Sequence, residues 1–343
     1  MAEYLTQRES LTPIADEIRT LSGTTDELGL TDMATNVSAA NGEVSTQADL
    51  ITQITAALKS KAGFGTAVEY SENEDAIIEG SITSYTNKRV TMVGSYAFTS
   101  NANLTSVNFP AATSIGYYAF SGCKNLTDVS FPAATTMYEG AFNRCYALEN
   151  IDLPNITKIA NYAFYSCSKL TDVSAPAASS VGMNAFYGCS KLTNANFPAV
   201  TSIGSSAFGN CSSIENASFP VATSIGASAF AYCRSMANID FPAATYIGAS
   251  AFHYCDKLTT VSFPAISTIV GYAFRYCYNL SNIFLTGPTV CTLSNSNAFA
   301  STPFAGYSGS YSGTPCIYVP SSLLDSYKTA TNWSYFSSYF SGI

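Results

Sequence analysis

The chain has 343 residues, of which only 11% are charged, while Ser, Thr, Asn and 23 tyrosines are abundant, so the surface is polar with few ions. The net charge of −8 is uneven: residues 1–90 hold 14 acids and 6 bases, whereas residues 91–343 hold 9 of each. Without a basic stripe the second part is a poor partner for nucleic acid, and no run approaches the roughly eighteen apolar residues of a membrane span.

Residues 1–63 are helical in pattern. Thr12-Pro13 is a good helix start, and Leu11, Ile14, Ile18 and Leu21 share one face until Gly23. A short helix is expected around Asp32 to Ala40, with Asn41-Gly42 breaking it, and a third from Thr46, carrying Leu50, Ile51, Ile54 and Leu58 on one side. So small a bundle has little core, so part of its apolar face is expected to be covered by another chain. The same helices could self-associate into a homo-oligomer, although no sustained heptad shows it. Residues 64–81 read as an acidic connector, with Glu69, Glu72, Glu74, Asp75 and Glu79.

From here a 22-residue period governs the chain. Phenylalanine recurs at 98, 120, 142, 164, 186, 208, 230, 252 and 274, prolines keep the step from Pro110 to Pro264, and cysteines keep it from Cys123 to Cys277. A constant period in this range means stacked coils, and the ladder counts nine, a rod on the order of 45 Å long at about 4.8 Å per coil. Within a coil, Leu126 to Pro132 alternates apolar and polar residues, so Val129 and Phe131 point in, and strands of successive coils pair in parallel with each column stacked on itself. Proline ends the strand, and an Ala-Ala-Thr stretch leads to a glycine turn such as Ile203-Gly204. The coils are expected over 82–300. From Gly287 the period fails, and Ile317 to Pro320 reads as a last strand, Ser321 to Thr331 as a helix, and 301–343 as a cap that includes Trp333.

The cysteine column lies three after the Phe, an inward site for a small apolar side chain. Neighbouring coils bring these Cα atoms about 5 Å apart, which leaves pairing sterically open. Free structural thiols are the expectation, since no CxxC or Cys/His cluster accompanies them. The one histidine, His253, reads as a surface residue, and no Ser/His/Asp set, phosphate loop or metal-ligand spacing can be assembled around it. Neither an enzyme nor a cofactor is expected.

Two sets of residues could carry recognition. The outward strand face runs through Ser106/Asn108, Asp128/Ser130, Asn150/Asp152, Asp172/Ser174, Asn194/Asn196, Asn216/Ser218, Asn238/Asp240 and Thr260/Ser262, short amides and hydroxyls that could meet sugar hydroxyls or simply solvate the sheet. The aromatic set is Tyr165 and Tyr187 directly after the Phe, then Tyr232, Tyr254 and Tyr276 one place later, with Tyr117, Tyr118, Tyr162 and Tyr272 just before it. Tyrosine offers rigid contact area with a polar tip, or merely shields a coil's edge.

The unit AFYGCSKLTNANFPAVTSIG at 185–204 resembles the BspA-like class of bacterial leucine-rich repeats over roughly residues 80–300. That resemblance implies a right-handed, β-rich solenoid of parallel short strands used for binding, often by bacterial surface adhesins. The segments LTPIADEIRTLSGTTDELGLTDM (11–33) and QADLITQITAALKSKAG (47–63) resemble amino-terminal parts of phage and prophage structural proteins, and IYVPSSLLDSYKTATNWSYF (317–336) resembles their carboxy-terminal ends. The amino terminus also lacks the basic start and apolar stretch of a secretory signal. The expectation is therefore a tail-associated virion component assembled in a bacterial cytoplasm. Residues 1–63 would join other virion proteins, and the solenoid would contact a host-surface glycan or protein. The alternatives are a cell-surface adhesin and an intracellular interaction scaffold.

Overall fold

The computed structural model of the protein describes residues 83–306 and 314–343. The helical region expected over 1–63 and the connector 64–81 lie outside the described residues, which belong to one compact unit, Ala76–Ile343. That unit is a solenoid of about 11 coils of about 22 residues, longer than the nine the phenylalanine ladder counts. The difference arises at the ends. Strand Ser84–Thr86 pairs with Ser106–Asn108 ahead of the first full repeat, and the cap continues the stack beyond the last.

Each coil carries one three-residue strand whose middle side chain faces the core. In Asn194–Asn196 and Asn216–Ser218 the central Ala195 and Ala217 are buried and Asn194, Asn196 and Asn216 are exposed. Pairing is parallel, and within the regular repeats the partner lies 22 residues on, as in Asn194↔Asn216 and Asn216↔Asn238, while towards the cap the step lengthens, as in Asn282↔Cys316. A second column, not foreseen as strand, lies in the Ala-Ala-Thr stretch. It consists of two-residue strands such as Ser202–Ile203 and Ser224–Ile225, and six of them form one sheet from Ser180–Val181 to Thr292–Leu293. Threonine fits there because its hydroxyl bonds to the same column of the preceding coil: Thr201 donates to Ser179 O at 3.1 Å and Thr245 to Thr223 O at 3.0 Å.

The third column holds the Ala-Phe turn. Phe164 N donates to Ala185 O and Phe186 N to Ala207 O, each at 2.7 Å, so this side is also laced from coil to coil. The rings beneath it form a continuous stack from Phe98 to Phe299 with centroids 5.1 to 5.6 Å apart. Phe299 keeps its place although it follows Phe274 by 25 residues rather than 22, because the extra residues are accommodated outside the stack. A second stack, including Phe197, Phe219 and Phe241, meets the first at tilted or edge-on angles, a favourable geometry for aromatic quadrupoles.

Every column cysteine is free and buried. Its thiol does more than fill space, since Cys189 Sγ donates to Phe164 O and Cys211 Sγ to Phe186 O, at 3.1 and 3.0 Å. The cap closes the stack with Trp333 and Phe336 against Phe299, and Trp333 Nε1 donates to Cys291 O at 2.7 Å. Contrary to the sequence reading of Ile317 to Pro320 as the last strand, Cys316–Val319 is followed by one more strand, Phe340–Gly342, which pairs with it on the far side.

Candidate ligand-binding surface

The side of the Ala-Phe turn is shaped by two left-handed positions per coil, one two residues before the Phe and one two residues after it. The second includes Gly122, Arg144, Ser166, Gly188, Asn210, Tyr232, Tyr254 and Tyr276, with φ between 58° and 76°. Glycine adopts this conformation freely and Asn tolerates it, whereas a tyrosine there costs about 1–2 kcal/mol. Three consecutive coils nevertheless hold tyrosine.

These three form a ladder. Tyr232 and Tyr254 stack at 5.0 Å and Tyr254 and Tyr276 at 4.4 Å, near-parallel in both pairs. Arg234 lies over Tyr254 at 5.0 Å and pairs with Asp256, Nη1 to Oδ2 at 3.1 Å. Arg275 lies 4.5 Å over Tyr276 and donates from Nη2 to its hydroxyl at 2.7 Å. His253 is half-buried rather than a free surface residue, edge-on to all three tyrosines. Burial and then the Arg275 guanidinium lower its pKa from 6.5, so the ring is neutral at pH 7, and its Nδ1 is buried without a partner. The result is an aromatic shelf with guanidinium edges. Sequence reasoning found the tyrosines but missed both arginines, whose only signal was their place beside the Tyr column.

Tyr165 and Tyr187 belong elsewhere. They stack on each other at 5.3 Å, with Tyr162 tilted against Tyr165 at 5.8 Å, in coils nearer the amino-terminal end. The aromatic set is therefore two clusters, not one. Tyr96 and Tyr118 stack ahead of the second cluster at 5.7 Å. The Tyr118 hydroxyl donates to Glu139 Oε1 at 2.8 Å, and that bond, with burial, raises its pKa to about 12.

The strand-face candidates Asn194, Asn196, Asn216, Asn238 and Asp240 are exposed and stacked in register. Much of their hydrogen-bonding capacity is spent within the column: Asn238 Nδ2 donates to Asn216 Oδ1 at 2.9 Å, Asn216 Nδ2 to Asn194 Oδ1 at 3.4 Å, and Ser218 Oγ to Asp240 Oδ2 at 3.3 Å. Further up this face a shallow depression of about 430 Å³ is lined by Ser106, Asn108, Asp128, Ser130, Glu149 and Asn150. Among the described residues no group of three or more His, Cys, Asp or Glu is placed to hold a metal, and no helix is long and apolar enough to cross a membrane.

A family model for the BspA type leucine-rich repeat region (6 copies) matches residues 91–215 and 201–306. No match is found among curated proteins. Similar solved structures include a leucine-rich cell surface protein of Faecalibacterium prausnitzii A2-165 (21% identity, 76% of this chain and 83% of that one, TM-score 0.39). A leucine-rich repeat protein of Bacteroides ovatus is 19% identical over 77% of this chain and 84% of that one, with a TM-score of 0.34. An internalin of Listeria monocytogenes is 10% identical over 68% of each chain, with a TM-score of 0.36.

Proposed function

We propose that this chain, which belongs to the BspA-type leucine-rich repeat family, is a non-enzymatic binding protein that holds a glycan or a polar protein face against the tyrosine edge of its solenoid. The observation that carries the reading is the run of stacked tyrosines on left-handed backbone at Tyr232, Tyr254 and Tyr276, with φ of 64°, 58° and 61°. Coils of the same molecule place Gly122, Gly188 and Asn210 at this position, so the fold does not require tyrosine there. Ser166 and Arg144 share this left-handed turn in other coils, so it is the unbroken run of stacked tyrosines on it, rather than the strain alone, that points to recognition. The strand face is the weaker candidate because its amides bond to one another.

The resemblance of 11–33, 47–63 and 317–336 to phage structural proteins supports a setting on a virion, with residues 1–63 as the attachment. Family membership supports a second setting, a bacterial surface adhesin. Deletion of residues 1–63 separates them: on the virion reading the shortened chain no longer co-purifies with particles, and continued co-purification contradicts that reading.

The surface itself is tested by binding of the full chain to a panel of bacterial cell envelopes. Changing Tyr232, Tyr254 and Tyr276 together to Ser is expected to abolish binding, while changing Asn194, Asn216 and Asn238 together to Ala leaves it within about twofold. The reverse pattern moves the site to the strand face.

A further inference from the structure

We infer that the cleft in the coils from Phe120 to Phe186 is a second site, separate from the tyrosine ladder, built for a saccharide unit that carries an anionic group. The inference rests on the reading that the solenoid binds a glycan. The cleft holds about 570 Å³, the size of a small-molecule pocket, and its walls are the rings of Tyr118, Tyr162, Tyr165 and Tyr187.

Both ends of the cleft are fixed by glycines. Tyr118 lies across Gly140, where any Cβ would run into its ring, and Tyr187 lies across Gly209, where a Cβ would come within 2.8 Å of Cδ2. Each ring is also tied at its hydroxyl: Tyr118 donates to Glu139 Oε1 at 2.8 Å and Tyr187 accepts from Asn210 Nδ2 at 2.6 Å. The aromatic walls are therefore held in place before anything binds, which lowers the entropy cost of binding.

The Oδ1 of Asn143 is buried in the cleft wall and accepts no hydrogen bond from a described residue. The Arg144 guanidinium meets no carboxylate and no acceptor among the described residues, whereas Arg234 pairs with Asp256 and Arg275 donates to Tyr276. Arg144 is also left-handed, with φ 58°, in the column where Gly122 and Gly188 stand. Arg144 is exposed, and no described residue takes any of its five donors, so the guanidinium is open to a ligand.

Two features select the ligand chemistry. Tyrosine faces take the C–H face of a sugar ring, and the guanidinium fork matches a carboxylate or a phosphate. A neutral sugar would leave the guanidinium unused.

The test titrates glucuronic acid, glucose 6-phosphate and glucose onto the full chain, followed by ligand-observed saturation-transfer NMR. Either anionic sugar is expected to bind about tenfold more tightly than glucose, as one charge-assisted contact gives, and the stronger of the two identifies carboxylate or phosphate as the natural group. Arg144→Gly should remove the preference while the melting temperature stays equal or rises, because glycine suits that backbone. Tyr165→Ser should weaken all binding sugars, and Tyr335→Ser, on the cap and outside both tyrosine clusters, should change none. Equal binding of glucose, a preference that survives Arg144→Gly, or no binding by any of the three overturns the site. Periodate treatment of the envelopes tests the parent reading separately. If the full chain still binds oxidised envelopes but not protease-treated ones, the partner is a protein and the glycan reading fails; if periodate abolishes binding while Arg144→Gly changes nothing, only the cleft assignment falls.

Discussion

At Phe164 one carbonyl oxygen serves two coils: it accepts from Cys167 N at 3.1 Å within its own turn and from the Cys189 thiol of the next coil at 3.1 Å. This explains why the column is cysteine rather than alanine, since the thiol fills a small apolar site and also satisfies an acceptor's second lone pair. The small inward site was legible in the spacing. The hydrogen bond was not, because its acceptor lies 25 residues away and appears only when coils are stacked. Burial pushes the thiols of Cys123 and Cys167 up to about 12 from an ordinary value of 9, and those of Cys145, Cys189, Cys211, Cys233 and Cys255 well above it. Above pH 9 the unfolded chain releases these protons while the native state keeps them. Stability is therefore complete below pH 9 and falls as pH rises towards 12, by up to about 1.4 kcal/mol per pH unit for each thiol. Urea titrations at pH 8, 9 and 10 should show a steepening loss, and a thiol reagent at pH 8 should label few column cysteines until urea is added. A flat profile to pH 10 contradicts the buried-thiol account.

Within a coil, the Phe and Gly columns hold neighbours together by opposite means, one filling space and the other leaving it empty. Phe186 lies between Phe164 at 5.2 Å and Phe208 at 5.1 Å and is fully buried. Phe186→Ala should therefore cost roughly 3–5 kcal/mol by cavity formation, and nearest-neighbour coupling should spread that loss to adjacent coils. At Gly226 a Cβ would come within 2.7 Å of the preceding coil's backbone at Gly204, so Gly226→Ala should force two coils apart and cost roughly 1–3 kcal/mol or more. Chemical denaturation reads both, and a midpoint unchanged by either substitution contradicts the column assignment. The Phe, Pro and Cys columns were legible because each is occupied by one residue type. The left-handed columns were not, since Gly, Ser, Asn, Arg and Tyr share them and no single residue marks the turn. The two-residue strands escaped notice because so short a segment has no alternation to read. Arg144 and Asn143 were missed for a related reason: their only sequence signal was the glycine at 140 breaking a column that holds tyrosine at 118 and 162.

The whole solenoid is electrically balanced and its ends differ from its middle. The cap was legible as a break in period, yet the return of Phe299 to the stack was not, because a 25-residue step looks like an exit from the repeat. With 9 acids against 9 bases over 91–343, no long-range field steers a charged partner. Binding to envelopes should therefore change by no more than a few fold between 50 mM and 500 mM salt, the share left to local guanidinium contacts; complete loss at high salt would mean that ionic attraction dominates. The most direct test of the tyrosine edge needs no substitution. Tyrosine iodination of the full chain, free and bound to envelopes, is mapped by peptide mass spectrometry, with Tyr335 of the cap, 75% exposed, as the internal reference. The account predicts that Tyr232, Tyr254 and Tyr276 are protected on binding while Tyr335 labels equally in both states. Unchanged labelling of those three in a saturated complex would contradict it.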